Sequence, residues 1–418
     1  MSGSLNLLGW IEKMNLKKHQ IPILIVCSLF IIGALTYVNY QLATASPGGV
    51  DFMTHWVGTR ALFHGESPYS KSVALRVQTL FYGRPAQSGE NEFLDPYLIY
   101  MEVIFAPFAL ISDYTVARAV WMTFLGLSTI AIFILSLKIT DWKPGIGILI
   151  FYLLYCVFGY HSVRPIINGN VTTVITLLIL TSIWAIQNKK EPIAGLLMAV
   201  AMAKPNLTLL PMLLLILWMV SLKRWRFIVW FSGSLLLLVL GGMLIIPNWP
   251  LQNLGNLLRY TSYNPPTTIA AALEQWNPVY GHWIGVAIYT IIIIFLIVEW
   301  RKVLRADFQI FLSVFSVTLV ANQWLGISTD PGNFIILTLP LVLVLKSLNE
   351  LPNGSAWVCT SLSALLIGLW VVFLTTVDRT HGNLQSPIMF FPLPIFIIVG
   401  LFFRRHKLLI KAKVPVPE

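Results

Sequence analysis

The feature that most constrains this chain is the run "IPILIVCSLFIIGALTYVNY", residues 21–40, which carries no charged side chain over a length sufficient to cross a bilayer. Comparable apolar runs recur to the C-terminus. They are separated by short basic clusters: Lys13 to His19, Asn188-Lys189-Lys190, Lys223-Arg224-Trp225-Arg226, Arg301-Lys302 with Arg305, and Arg404-Arg405-His406-Lys407. In hydrocarbon a backbone must satisfy its own hydrogen bonds, so these runs imply helices. Charged residues make up 11% of the chain and hydrophobic ones 57%, whereas a soluble domain needs roughly 25% charged residues. The expectation is therefore an all-α polytopic membrane protein, a single integral domain over residues 1–418.

The basic clusters orient the chain, because Lys and Arg concentrate in short cytoplasmic loops. With all of them inside, the spans fall at 20–42, 115–138, 145–160, 171–187, 192–203, 205–221, 227–246, 282–298, 308–325, 334–348, 357–376 and 388–403. That is about twelve transmembrane helices with both termini cytoplasmic. The net charge of +11 is spent on these topology signals, and no nucleic-acid partner is expected. The first span follows Lys13, Lys17 and Lys18 with no small-residue cleavage site, so it reads as a retained helix. Cys27, Cys156 and Cys359 have no paired spacing, and neither disulfide nor zinc is expected.

Span 192–203 is too short to cross alone, which makes Lys204-Pro205-Asn206 a polar break at the outer side of a helical hairpin. The other outer segments are long and polar: 43–114, 248–281, 328–333 and 377–387. Chemistry, if present, faces outward.

The first of these holds "SPGGVDFMTHWVGTRALFHGESPYS". Asp51 can cap or open a helix running to about His64, with Gly65 as a left-handed stop and Pro68 beyond. Asp51, His55, Thr59 and Leu62 then share one face. Such a helix is expected to lie at the membrane surface, aromatic side down. A second apolar stretch, 95–112, reads as a surface or re-entrant helix. Asp51 is either an N-cap or a general base at the lipid–water boundary, and spacing does not separate the two.

Lys204 interrupts an uncharged hairpin, where it is either a snorkelling lysine or part of a site. Arg164 in "HSVRPIINGN" is an interface anchor or a second such cation. Asn170 would cap the next helix, and His55 is an interfacial histidine on the face of Asp51. Glu90 and Glu92 in "GENE" lack a third ligand, so no metal is expected. Trp249, Tyr260, Tyr263, Trp276 and Trp283 offer flat stacking surfaces for a ligand, and interfacial aromatic belts explain them equally.

These segments resemble a known family. "DFMTHWVGTRALFHGESPY" is similar to the signature that follows the first span of glycosyltransferase family 87. The likeness continues in order through "DPYLIYMEVIFAPFALIS", "RPIINGNVTTVITLLIL" and "AGLLMAVAMAKPNLTLLPMLLLILWMVSLKRWR", from Asp51 to Arg226. The chain departs from the family pattern at Asp95-Pro96, where Pro-Pro is usual, at Asn170, where Gln is usual, and at "STDPGNFIILTLPL" with Asp330 and Asn333.

The resemblance implies a GT-C-class mannosyltransferase-like enzyme that uses no cofactor. It would move a hexose from a polyprenyl-phosphate donor to a glycan or glycolipid acceptor, with inversion, at the extracytoplasmic face of the plasma membrane. Asp51 would be the general base, and Lys204, Arg164, His55, Asn170 and Asp330 the substrate contacts. The rivals are a lipid or glycan transporter or flippase, built on a discontinuous helix, and a lipid-linked glycan polymerase or ligase.

Overall fold

The apolar runs form helices throughout. The computed structural model describes residues 20–45, 48–263, 267–325, 330–378 and 385–413. Among the described residues there is no β-strand, and nine helices are long and apolar enough to cross a membrane. The chain is an integral membrane protein. The Lys13 to His19 cluster and, of the expected outer segments, residues 46–47, 264–266, 328–329 and 379–384 lie outside the described residues.

Helix α1, Gln20–Ala45, is exposed over nearly its whole length and packs along α5, Tyr114–Thr140. At about 1.5 Å per residue it is long enough to cross a bilayer with tilt. Between them lie α2, Val50–Phe63, α3, Lys71–Tyr82, and α4, Glu102–Ala109, the last preceded by a 3-10 turn at Ile99–Met101. Helix α6, Ile146–Phe158, breaks at Gly159 and continues as α7, Tyr160–Asn168. A Cβ at Gly159 would lie 2.4 Å from the Tyr155 carbonyl oxygen, so the bend needs glycine.

Next come α8, Thr172–Gln187, α9, Glu191–Ala201, α10, Pro205–Ser221, and α11, Trp225–Ile245. The α9–α10 break is the hairpin turn read from Lys204-Pro205, with Pro205 at the first position of α10 where its missing N–H costs nothing. Helix α9 packs against α8 and α11. The C-terminal part contains α12, Trp249–Tyr263, α13, Ile269–Trp276, α14, Gly281–Arg301, α15, Phe308–Leu325, α16, Thr338–Asn349, α17, Gly354–Thr376, and α18, Pro392–Lys413. A 3-10 turn, Pro331–Leu337, leads into α16, and both are almost wholly buried.

One expectation is overturned. Helix α2 does not float on the membrane surface. Phe52, Met53, His55, Trp56, Val57, Gly58, Thr59 and Ala61 are buried, and Phe52 stacks on Trp121 of α5 at 5.8 Å. Its apolar residues go round the helix rather than along one side, and a helix apolar on all sides belongs inside a bundle. The stretch 95–112 packs beside it through α4.

Candidate active site

The site is assembled around the start of α2. Gly49, at φ 75°, is the residue that caps this helix, and it makes no side-chain cap bond. Arg118 of α5 lies over the Gly48–Gly49 turn and donates to the Ile167 carbonyl at 3.2 Å. The Tyr114 hydroxyl donates to the Gly48 and Gly49 carbonyls at 2.9 and 3.1 Å. From the other side, Gly169 at φ 71° ends α7 so close to Phe52 that a Cβ there would be 2.4 Å from the Phe52 Cβ. This approach carries Asn170 to the first turn of α2.

Asp51 is accordingly not the N-cap. Its side chain turns inward, where Asn170 Nδ2 donates to Asp51 Oδ2 at 2.8 Å. Asn170 Oδ1 in turn accepts from Lys204 Nζ at 2.8 Å, so the lysine fixes which end of the amide faces the carboxylate. Lys204 also donates to Thr172 Oγ1 at 2.6 Å and to Asn333 Oδ1 at 3.2 Å. It is 1% exposed, so it does not snorkel to solvent. Its nearest acceptors are neutral oxygens, and its ammonium lies 5.6 Å from the Tyr97 ring centroid. A buried ammonium needs this saturation, because an unsatisfied charge there costs several kcal/mol.

The second acid near Lys204 is Asp330. Its Oδ1 accepts from the Gly332 N–H at 2.5 Å and its Oδ2 from Gln385 Nε2 at 2.7 Å. The stem of Arg164 lies against Gly332, and its guanidinium sits 5.6 Å from the Phe373 ring centroid. Arg164 Nε is buried without a hydrogen-bond partner. Burial raises the pKa of Asp51 above the usual carboxylate range, an effect opposed by Lys204. Burial also lowers Lys204 to about 8, opposed by Asp51 and Asp330. Each charge thus offsets the desolvation of the other.

One turn beyond Asp51, His55 Nδ1 lies 3.0 Å from Glu102 Oε1, with both side chains buried. Thr59 Oγ1 is hydrogen-bonded both to Glu102 Oε2 and to the His55 carbonyl. The His55 ring stacks on Phe105 at 4.4 Å and meets Tyr97 at 5.0 Å. Asp95, 4% exposed, is hydrogen-bonded to Glu102 and accepts from the Tyr97 N–H at 2.9 Å. It is therefore not the outer-loop acid that its place in 43–114 suggested. Burial pushes Asp95 well up and Glu102 up to about 7, and lowers His55. Ligand atoms of His55, Asp95 and Glu102 lie within 4.8 Å of one another, as a cation site would require. Within the trio Glu102 is hydrogen-bonded to both His55 and Asp95.

The model for glycosyltransferase family 87 matches residues 97–325. The chain belongs to glycosyltransferase family 87. No curated protein and no solved structure matches it. The matched part of this glycosyltransferase holds Tyr97, Glu102, Arg164, Asn170, Thr172 and Lys204, while Asp51, His55, Asp95, Asp330 and Asn333 lie outside it.

In this family 87 chain the expected site residues Asp51, Asn170, Lys204, His55, Asp330 and Arg164 converge on one region. Of the remaining candidates, Tyr260 lies near Tyr97 of that region. Glu90 pairs with Arg84 at 2.8 Å and Glu92 with Arg259 at 2.7 Å. Trp249 is buried with Ile99, and Trp276 and Trp283 are exposed. Residues not assigned a role from sequence are Thr172 and Asn333, which complete the lysine cage, and Glu102. A single Glu within "YLIYMEVIF" was the available signal for the last, since a lone ionisable group in an apolar run must find a partner.

Proposed function

We propose that this chain is a GT-C-class glycosyltransferase that moves a hexose, mannose by the family resemblance, from a polyprenyl-phosphate donor to a glycan or glycolipid acceptor at the extracytoplasmic face. The observation that carries the reading is the chain of hydrogen bonds Lys204–Asn170–Asp51. It places a carboxylate and a cation in one network, and the reaction needs both. Asp51 takes the proton of the acceptor hydroxyl as that oxygen attacks the anomeric carbon. The bond from that carbon to the phosphate oxygen breaks on the opposite side, which inverts the configuration. Polyprenyl phosphate leaves with the electron pair, and Lys204, aided by Arg164, offsets its charge.

Asn170 holds Oδ2 of Asp51, so Oδ1 is the oxygen presented to the acceptor. Asp330 and His55 contact sugar hydroxyls. The donor lipid lies between spans. An apolar cavity of about 280 Å³ between α14, α15 and α18, bounded by Ile291, Phe295, Val320, Trp324 and Leu401, offers a place for it. Helix α15 also reaches the site, because Asn322 donates to the Asn206 carbonyl at 2.9 Å, two residues from Lys204.

The test is an assay in proteoliposomes with polyprenyl-phosphate hexose, with and without a glycolipid acceptor. Acceptor-dependent transfer of the sugar is expected. Movement of intact donor across the bilayer with no transfer would favour the transporter reading instead.

A further inference from the structure

Glu102 takes part in no step described above, yet it is one of the most buried acids of the chain, 1% exposed, and hydrogen-bond donors converge on it from separate elements. Thr59, two turns beyond Asp51 on α2, is hydrogen-bonded to Oε2 and also donates to the His55 carbonyl at 2.7 Å, its one proton shared between the two. The Asp95 carboxyl group, from the segment before the 3-10 turn, hydrogen-bonds to Glu102 as well. Two carboxyl groups in contact share one proton, and Asp95 supplies it because burial raises Asp95 further than Glu102. Oε1 then faces His55 Nδ1 at 3.0 Å as an acceptor. The imidazole must carry its proton on Nδ1, which leaves Nε2 bare.

We infer that Glu102 is a positioning residue: it holds His55 in the Nδ1–H form, with Nε2 as a hydrogen-bond acceptor, beside Asp51. Phe105 and Tyr97 fix the plane of the ring, and Glu102 fixes its rotation and its proton. The hydrogen bond that the described residues give the ring is at Nδ1. An acceptor lone pair at Nε2 suits a sugar hydroxyl, and a protonated or flipped ring would present a donor there instead. The groups facing the ring are Asp51 one turn before it on α2, Asp95 from the loop, Lys204 from the α9–α10 break, and Glu102 itself. Thr59 and His55 bind the same carboxylate one turn apart, so Glu102 also sets the rotation of α2 about its axis. This inference rests on the functional reading above for its effect on rate, but not for the state of the ring.

The experiment has one arm that needs no activity. Full-length protein labelled with ¹⁵N-histidine is placed in nanodiscs, and the His55 signals are assigned by their loss in His55→Phe. The parent is expected to show the proton on Nδ1, and Glu102→Gln to show a mixture of both forms or the Nε2–H form. A parent ring with its proton on Nε2, or Glu102→Gln spectra identical to the parent, would overturn the inference whatever the enzyme does.

The second arm is a double-mutant cycle on transfer. Glu102→Gln should lower kcat roughly tenfold with donor KM within about twofold, and the same change made in His55→Phe should alter kcat by less than about twofold. Additive losses would mean that Glu102 does not act through His55. If the ring behaves as inferred while Asp51→Asn transfers normally, the functional reading fails and the positioning assignment stands.

Discussion

Two sets of carboxylates occupy the same stretch between α1 and α5, and their surroundings differ in every respect. Glu66, Glu90 and Glu92 lie on the rim, each paired with an arginine: Arg76, Arg84 and Arg259. Asp51, Asp95 and Glu102 face inward and are held by amides, hydroxyls, an imidazole and each other. A guanidinium pins an exposed carboxylate in its charged form at little gain in stability. Neutral donors in a buried place leave a carboxyl group free to exchange a proton. Under the proposed function acid–base work falls to the inner set, although the rim has equally many acids and better ion pairs.

The largest effect that could break this comparison is at Asp51. Asp51→Asn keeps size and polarity but cannot accept the acceptor's proton, so transfer should slow at least roughly a hundredfold while donor binding is retained. Glu92→Gln is the rim counterpart and should transfer sugar like the parent. Equal losses in the two variants would erase the distinction between inner and outer acids.

Next in size is Lys204→Met. It removes the ammonium that saturates Asn170, Thr172 and Asn333. The three N–H groups of Lys204 are taken by the oxygens of these residues, so it acts on the donor phosphate through its charge, and removing that charge should weaken donor binding roughly ten- to a hundredfold. Isothermal binding of donor to protein with a parental unfolding profile checks this. Undiminished affinity would leave Lys204 as a scaffold for Asn170 alone.

The pH dependence should be smaller and two-sided. Asp51 must be ionised and Lys204 charged, so kcat/KM should rise with pH through the raised pKa of Asp51 and fall as Lys204 loses its proton near about 8. In Lys204→Met the basic limb should vanish. A profile flat across neutral pH in the parent would detach both groups from catalysis.

The smallest effect is expected at the rim itself. Arg259 of α12 contacts Glu92 through two bonds, of 2.7 and 2.9 Å. Asn253 and Asn256 of the same helix also donate to the Tyr97 and Asp95 carbonyls. Arg259→Gln should therefore leave both thermal stability and turnover near parental, read by a melt and a transfer assay side by side. A large loss would show that α12 depends on that ion pair rather than on its asparagines.

Much of the fold was legible because membrane helices announce themselves as uncharged runs. The bounds of α1, α5, α11 and α17 follow the apolar stretches within a few residues, and Lys204-Pro205 marked the hairpin break. Gly65, at φ 73°, ends α2 as its type suggests. What local pattern could not supply was depth. The face shared by Asp51, His55 and Thr59 was readable from helical spacing, but that it turns onto Glu102 and Asn170 depends on contacts across long stretches of chain. Asn333 was likewise indistinguishable from any loop asparagine until the turn at Asp330 brought it to Lys204. Long-range convergence of this kind leaves no periodic trace in a single sequence.

The most direct test of the central claim is the fate of the anomeric carbon in a single turnover. Purified protein given polyprenyl-phosphate mannose and a glycolipid acceptor should release polyprenyl phosphate. The product should carry mannose in the anomeric configuration opposite to the donor's, read from the anomeric proton by NMR. Retained configuration, or sugar transfer without release of the lipid phosphate, would contradict a single base at Asp51 working against a phosphate held near Lys204.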